Sequence, residues 1–428
     1  MRWMLVVACS ALASGPLAAQ TGSSLKLAEV YGRLDERHPR MEAAAARVEA
    51  ARARITPAGR WPDPAVQFAL MNRSLPGFGL QDPLGMNQVQ VMQMVPIAGK
   101  TGLAKEAARA ALDAEKAGAT EAGLELRAQA AMVFYDLYAA DQAIDAMRGS
   151  RRLLTGVLEA SRTMYAQGRG RQADVLRAQV EIARMDEEII RMRAMRDAMA
   201  ARLGAIMQLG SDYDMPSPVL PRFPDSLPSR DSLERLALVS RPMLAAGAAR
   251  IRAADALARR ADREIWPDLT LGVIYGQRPM DGGTDRMLSL MFGFTLPIGS
   301  GGKQGEMAAE ARAMQAMSAA DLEDMRTNTR SRIGELVAEL GRTRSLRALY
   351  RGTLLPELEA AATAAEAGYR GGGAEFMTLL ESQMALTQGR RELTRFDAEA
   401  GKALAELEML TATVLVDPAS ITPAGGAQ

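Results

Sequence analysis

The chain of 428 residues has little of the chemistry on which most enzymes depend. It contains one cysteine, Cys9, and one histidine, His38. The chain therefore has too few Cys and His residues for a Cys/His zinc site, a disulfide framework, or a Ser-His or Cys-His catalytic pair. We expect no enzymatic activity, no bound metal and no cofactor.

Excess charge and aromatic residues are also scarce. Lys and Arg number 52 against 51 Asp and Glu, so the formal net charge is +1. No global field attracts nucleic acid, and we expect no nucleic-acid partner. Aromatic residues make up 4% and apolar residues 48%, with abundant Ala and 27 Met. This mixture favours long helices that pack closely through small side chains.

The N-terminus has the layout of a secretory signal peptide. A positive start is followed by a mostly apolar stretch and then by small residues, which predicts a leader over residues 1–19. An alternative is a lipoprotein leader with acylated Cys9. Beyond the leader no run approaches the ~20 apolar residues of a membrane-spanning helix, so if this exported chain crosses a membrane, it does so as a barrel.

The rest of the chain consists of two sequence repeats, offset by about 204 residues. Trp61-Pro62-Asp63 recurs as Trp266-Pro267-Asp268, and each copy follows an Ala-rich helical stretch that opens with X-Pro. A Pro-Ile turn that ends in Gly-Lys begins about 30 residues after each Trp-Pro-Asp motif, at residues 96–100 and again at 297–303. We predict a first repeat over 20–214, a Pro-rich linker over 215–228, a second repeat over 229–415 and a disordered C-terminal tail over 416–428.

Each repeat contains two segments that alternate between apolar and small or polar residues. The alternation has period two, which predicts strands near 63–72, 87–95, 268–277 and 286–296. Their length of ~9–11 residues and their apolar-out, polar-in pattern are those of outer-membrane barrel strands. A half-buried sheet on a soluble core is the alternative for any one segment, but four such segments after a leader favour the barrel.

Long helical hairpins are predicted to follow the strands, over 99–209 and 303–415, each reversing at a Gly-rich point. Four strands cannot close a barrel, and lipid does not tolerate open edges. Three copies supply twelve strands around a lumen, so a trimer is the economical solution. We therefore predict a mixed α/β membrane protein, with a trimeric 12-stranded β-barrel continued by a long α-helical barrel.

A signature within the first hairpin identifies the family that the chain resembles. Tyr165-x-x-Gly168 leads to Asp174-Val-Leu-x-Ala-Gln, and a degenerate copy runs from Tyr369 to Gln383. With the X-Pro openings and the Gly-Lys turns, this pattern resembles the TolC family of outer-membrane efflux channels, most closely its heavy-metal (CusC/CzcC-type) branch. The resemblance implies an outer-membrane homotrimer that extends into the periplasm and docks to a membrane-fusion adaptor and a resistance-nodulation-division type pump.

The resemblance also suggests functional residues. Thr378 and Glu381 match the acidic positions that ring the closed periplasmic entrance of such channels, and Asp174 is the first-repeat equivalent. Only Glu381 keeps a carboxylate at the matched pair, so a trimer retains one acidic ring. The adaptor is expected to meet the hairpin tips. The predicted tip residues are Gly168, Arg169, Gly170, Gly371, Gly372 and Gly373.

Three further features bear on function. Trp61 and Trp266 at the strand bases suit a membrane-interface belt in contact with outer-membrane lipid. The Gly99-Lys100-Thr101 turn resembles the end of a phosphate-binding loop but lacks the earlier glycine, so no nucleotide site is expected. Met side chains on the lumen-facing sides of the strands are candidate soft ligands for Cu(I) or Ag(I). These are Met92, Met94, Met287 and Met291. The alternative is that Met is simply common throughout this sequence.

The predicted function is a passive exit duct of a tripartite efflux system for small substrates such as heavy-metal cations or drugs. One alternative is the outer-membrane component of a type I protein secretion system. Another is a periplasmic coiled-coil protein of structural or adaptor type that forms no channel.

Overall fold

The computed structural model describes residues 24–36, 38–72, 85–210, 212–280, 282–299, 301–371 and 373–420. The predicted leader, with Cys9, and the predicted tip residue Gly372 lie outside the described residues. So do residues 421–428 of the predicted tail. The other predicted site residues are described.

Four antiparallel strands and nine α-helices make up the described chain. The first repeat contains α1 (Leu27–Glu36), α2 (Pro39–Ala58), β1 (Ala65–Met71), β2 (Met86–Val95), α3 (Lys100–Ala166) and α4 (Gln172–Ile206). The second contains α5 (Arg230–Ser240), α6 (Pro242–Asp262), β3 (Leu269–Met280), β4 (Gly283–Phe294), α7 (Lys303–Leu349), α8 (Leu355–Arg370) and α9 (Phe376–Thr411). A 3₁₀ turn, Arg263–Ile265, precedes β3, and a π-helical segment, Tyr350–Leu354, joins α7 to α8.

The strands form one sheet in the order β1-β2-β3-β4. The register places Phe68 opposite Val89, and Val91 opposite Val273. Apolar side chains therefore share one face of the sheet, as the period-two pattern predicts. That face is open: Phe68 is 80% exposed and Phe292 78%. β1 and β4 each keep one edge that pairs with no other strand of the described chain.

The helix α3 is a single unit of 67 residues, about 100 Å long at ~1.5 Å per residue. Its first residue follows Gly99, whose φ of 75° lies in the left-handed region that glycine adopts without strain. In the second repeat the equivalent run is interrupted at Tyr350–Leu354. No helix in the described ranges is both long enough and apolar enough to cross a membrane.

The interruption has a cause in the sequence. The stretch from Lys303 to Tyr369 is one residue longer than the stretch from Lys100 to Tyr165. A π turn accommodates one extra residue within a helix. Pro356 lies just beyond the π turn and has no N–H for the carbonyl of Gly352, so the α-helical pattern is already broken at this point.

The two X-Pro openings begin their helices differently. His38 caps α2, because its Nδ1 accepts a hydrogen bond from the Arg40 N–H at 3.1 Å. Burial lowers the pKa of His38, which keeps Nδ1 available as an acceptor. At α6 the cap comes from Glu121 of α3, whose carboxylate accepts from the Met243 N–H at 3.0 Å and from Arg241 at 3.1 Å. The two openings thus obtain their caps from different places, one from the residue before the proline and the other from α3.

The hydrophobic core lies among the helices. One cluster joins α1, α3, the end of α4 and the linker around Phe134 and Tyr135. A second joins α5, α7 and α9 around Ile333 and Leu407. A third, around Leu379, joins the helices at the hairpin tips. Sequence analysis did not predict the short helices α1 and α5, yet both contribute fully buried side chains to these clusters.

The predicted start of the disordered tail is wrong. Val416 is 4% exposed, and its N–H and that of Leu415 donate to the Glu408 carboxylate. Further along, the Ala28 N–H donates to the Pro418 carbonyl at 3.1 Å, so residues 416–420 pack on the start of the fold. Apolar burial and backbone hydrogen bonds order this stretch despite its polar, breaker-rich sequence.

Candidate functional site: sheet and hairpin tips

The first hairpin tip turns between α3 and α4. Gly168 adopts a φ of 70°, and the Arg169 N–H donates to the Met164 carbonyl at 2.8 Å, which ends α3. Gly170 follows in close contact with the helix end: a Cβ there would lie 2.9 Å from the Tyr165 nitrogen. The three predicted tip residues of this repeat therefore form one compact turn, in which two positions demand glycine.

The second tip turns between α8 and α9 without a left-handed residue among its described positions. The Gly371 N–H donates to the Ala367 carbonyl at 3.0 Å, and the Gly373 N–H donates to the Gly368 carbonyl at 2.8 Å. Helix α9 then begins at Phe376. The predicted residues Gly371 and Gly373 thus lie in the turn itself.

The two tips contact each other through a buried tyrosine. Tyr369 is 6% exposed, and its hydroxyl lies 2.7 Å from Ser161 Oγ on α3. Its ring packs edge-on against Phe376, with centroids 5.8 Å apart. A cavity of about 290 Å³ opens beside it, lined by both tips. The lining includes Arg169, Gly170, Arg171, Asp174, Arg177 and Gly373.

The predicted gate residues are not brought together within one chain. Thr378 and Glu381 lie on the exposed face of α9, opposite the buried Leu379 and Leu380. Asp174, in the first turn of α4, lines the tip cavity, whereas Thr378 and Glu381 do not. An acidic ring from Glu381 therefore requires further copies of the chain.

The predicted anchors lie at the base of the sheet. Trp61 and Trp266 are both about half exposed and precede β1 and β3. Beside them is a contact that sequence analysis missed. The buried ammonium of Lys100 donates to the Trp266 carbonyl at 3.0 Å and lies 2.9 Å from Asp268 and 3.2 Å from Glu264.

This cluster joins the two repeats where the sheet meets the helices. Lys100 is the first residue of α3, where the helix dipole disfavours a positive charge, and the two carboxylates offset that cost. A sequence signal was present, because the Pro-Ile turn that ends in Gly-Lys and the Trp-Pro-Asp motif each occur twice. The pairing itself was not predictable from that signal, since it depends on which strands are neighbours.

The other face of the sheet carries methionines that pack over glycines. Met92 and Met291 flank Gly272, where an added Cβ would lie 3.1 Å from Met291 Cε. Met86 and Met287 flank Gly276 in the same way. These four methionines fill the space that the glycines leave. Met94, the remaining predicted soft-metal contact, is 42% exposed. Among the residues that the structure describes, no group of three or more His, Cys, Asp or Glu side chains is placed to hold a metal ion.

The chain belongs to the outer membrane efflux protein family. That family matches residues 30–207 and 233–413, which are the two repeats. No curated protein sequence matches the chain. Family membership therefore rests on the paired repeat match.

Solved structures of outer-membrane channels have the same fold. The outer membrane protein VceC of Vibrio cholerae is 18% identical, with a TM-score of 0.75 over 90% of this chain and 96% of that chain. The open state of the Neisseria gonorrhoeae MtrE channel is 16% identical, with a TM-score of 0.76 over 91% and 89%. CusC is 14% identical, with a TM-score of 0.77 over 91% and 92%. At these identities the likeness establishes the fold.

Proposed function

We propose that the chain is the outer-membrane exit duct of a tripartite efflux system. The observation that carries this proposal is a four-stranded sheet with an exposed apolar face and two unpaired edges, joined to helical hairpins about 100 Å long. Such a sheet is unstable in water, and its open edges are not tolerated in lipid. Three copies satisfy both demands by closing a twelve-stranded barrel around a lumen.

The helical hairpins then form a second tube on the periplasmic side, in contact with a membrane-fusion adaptor at the tips. Energy and substrate choice belong to the partner pump, of the resistance-nodulation-division type, and this chain carries out no chemical step. Opening is a movement of the tips, which Tyr369 and the tip turns join as a unit.

Charge at the entrance favours cations in this proposal. Three Glu381 carboxylates form one acidic ring, because Thr378 supplies no charge at the second matched position. Heavy-metal cations and cationic drugs fit such a ring. A role as soft-metal contacts remains a prediction for Met92, Met94, Met287 and Met291. Met92, Met287 and Met291 also have a structural role, because they pack over Gly272 and Gly276.

The same observations bear on the alternatives. A soluble coiled-coil protein would leave the apolar sheet face in water, and the family match supports the channel instead. A type I protein secretion component has the same architecture, so it differs in the partner pump rather than in this chain.

Localisation and assembly are tested together. The chain is expressed with its own leader, the inner and outer membranes are separated, and the detergent-extracted species is sized by native mass spectrometry with and without denaturation. We expect an outer-membrane trimer. A soluble periplasmic monomer would overturn the proposal.

The acidic ring is tested by conductance in planar bilayers. We expect Glu381→Gln to reduce the preference for cations over anions. Asp321→Asn removes one exposed acidic charge from α7, far along the chain from the tips, and is the matched control. Equal ion selectivity in the Glu381 variant and the wild type would contradict a gate role for this residue.

A further inference from the structure

The junction between β2 and β3 joins the two repeats within the chain, and its parts recur at the two open edges of the sheet. We propose that β4 of one protomer pairs with β1 of the next as β2 pairs with β3, with Phe292 opposite Phe68 and an ion pair between Lys303 and Asp63 of the partner subunit. The occupant of the open edges is thus a second copy of this chain, in a defined register.

The ion pair between Lys303 and the partner's Asp63 follows from the equivalence of the two repeats. Lys100 and Lys303 are the first residues of the long helices α3 and α7. Asp268 and Asp63 end the two Trp-Pro-Asp motifs. Lys100 and Asp268 form a salt bridge of 2.9 Å within the chain, so their equivalents are complementary charges at the corresponding place in the next junction.

Both equivalents are unpaired in the single chain. Lys303 and Asp63 are exposed, and neither has an ion-pair partner within the described part of the chain. They lie at opposite sides of the sheet, since Asp63 precedes β1 and Lys303 follows β4. They therefore meet only when a second copy closes the edge. Lys303 also has the same need as Lys100 for a carboxylate at a helix N-terminus.

The register follows from the observed pairing of Val91 with Val273. Counting from the Pro-Ile turns, Phe292 is the β4 equivalent of Val91. Counting from the Trp-Pro-Asp motifs, Phe68 is the β1 equivalent of Val273. Transfer of the register therefore places Phe292 opposite Phe68.

An independent check supports this register. It also places Phe294 opposite Val66 and Leu290 opposite Leu70, and all of these side chains lie on the exposed apolar face. A shift by one residue would set Phe68 against Met291 or Gly293, whose side-chain positions belong to the other face. Phe292 is located by its distance from the Pro-Ile turn and Phe68 by its distance from the Trp-Pro-Asp motif. Neither count alone requires the paired residues to lie on the same face of the sheet.

The two junctions differ in one respect. Lys100 has a second carboxylate, Glu264, whereas the first repeat has Gly59 at the equivalent position. The pair between protomers is therefore a single ion pair near the surface. We expect it to contribute less than the cluster within the chain, and the strand pairing to supply most of the stability of the junction.

The register is tested by cysteine cross-linking in a Cys9→Ala background. Directly opposed residues on neighbouring strands lie close enough for disulfide formation. Oxidation of the Phe68→Cys/Phe292→Cys variant should give covalent dimers and trimers on non-reducing gels. The matched control, Val91→Cys/Val273→Cys, should form its disulfide within one chain and keep the monomer mass.

Two variants measure a shifted register. Phe68→Cys combined with Phe294→Cys or with Met291→Cys should cross-link less than the proposed pair. A stronger yield from either, or no cross-link in any pair while native mass spectrometry shows an intact trimer, would overturn the register. Loss of the trimer itself would instead count against the proposed assembly, so the two failures are distinguishable.

The ion pair is tested by charge exchange. Asp63→Lys and Lys303→Asp should each lower the temperature at which the detergent-solubilised trimer dissociates, because each sets like charges together. The double variant Asp63→Lys/Lys303→Asp should recover much of the wild-type midpoint. A double variant no more stable than the less stable single variant would overturn the pair.

Discussion

The return helices α4 and α9 are repeat equivalents, yet their surroundings differ. Helix α9 packs against α3, α7 and α8, whereas α4 packs mainly against α3. Equivalent leucines show the difference: Leu380 of α9 is 6% exposed, and Leu176 of α4 is 53% exposed. One helix is central and the other is at the boundary of the protomer. An apolar position that is core in one repeat and surface in the other marks where the next copy packs.

The same contrast recurs at three other places in the molecule. Tyr369 is buried at the tips, while its equivalent Tyr165 is 49% exposed. Within the described residues, Lys100 has ion-pair partners and Lys303 has none, and β2 and β3 are paired on both sides whereas β1 and β4 are paired on one. Each of these contacts, made once within the chain, has a repeat equivalent that is exposed or that lacks the corresponding partner in the described part of the chain. The repeat therefore encodes the assembly as well as the fold.

The largest expected loss of stability comes from removing the cap of α6, and removing the cap of α2 should cost much less. Glu121→Ala should lower the free energy of unfolding by about 3–5 kcal/mol, because it leaves the half-buried Arg241 without its charge partner and the Met243 N–H without its acceptor. His38→Ala should cost only about 1 kcal/mol, the usual value of an N-cap. Urea titration of the detergent-solubilised protein measures both. Equal losses would show that the two openings are energetically alike.

The equivalent leucines give the next largest effect. Leu380→Ala should lower the free energy of unfolding by about 2–5 kcal/mol, since it opens a cavity in the cluster at the tips. Leu176→Ala should leave unfolding of the protomer nearly unchanged and should lower the temperature of trimer dissociation. Native mass spectrometry during heating separates these outcomes. A similar effect of both variants on the protomer would show that Leu176 is packed within the protomer as Leu380 is.

Much of the fold could be predicted from the sequence, for physical reasons that differ between its parts. The strands are evident because a sheet with two unlike faces alternates with period two. The hairpins are evident because the Gly-rich reversals interrupt long Ala-rich runs. The π segment was missed because one inserted residue becomes visible only when Lys100 to Tyr165 is aligned with Lys303 to Tyr369. The helices α1 and α5 are short, so their periodicity is weak.

The candidate site was predicted less completely. The tip glycines and the tryptophans follow from local signals, so the sequence locates them without knowledge of the fold. The Lys100 cluster joins residues more than 160 positions apart, and only the β2–β3 pairing brings them together. The first residues of the expected tail, from Val416 onward, were predicted to be disordered. Their order depends on hydrogen bonds to the Glu408 carboxylate, and Glu408 belongs to no recognisable sequence motif.

The next prediction concerns close packing at α9. Gly401 faces Tyr135, and an added Cβ would lie 2.4 Å from the buried ring. Gly401→Ala should therefore lower the free energy of unfolding by about 1–3 kcal/mol through overpacking. The repeat equivalent in α4 is Asp197, which is exposed, and Asp197→Ala should have little effect. Urea titration measures both, and a neutral Gly401→Ala variant would show that α3 and α9 separate easily.

The smallest expected effect depends on pH. Burial raises the pKa of Glu408, and the N–H donors of Val416 and Leu415 only partly oppose that rise. A carboxyl whose pKa is higher in the folded state binds its proton more tightly there. Its contribution to stability is therefore largest below the unfolded-state pKa, declines as pH rises through the folded-state pKa, and is constant above it.

Replacement of this carboxyl removes that decline. The stability difference between Glu408→Gln and the wild type should therefore shift in favour of the variant as pH rises from about 4 towards neutrality. Glu310→Gln changes an exposed carboxyl on α7 and provides the baseline for the unfolded state. Urea titrations across this range measure both differences. If the Glu408 difference stays level or moves in favour of the wild type, the hydrogen bonds that order residues 415–416 outweigh the cost of burying the charge. The ordered segment after α9 would then be stabilised most at neutral pH.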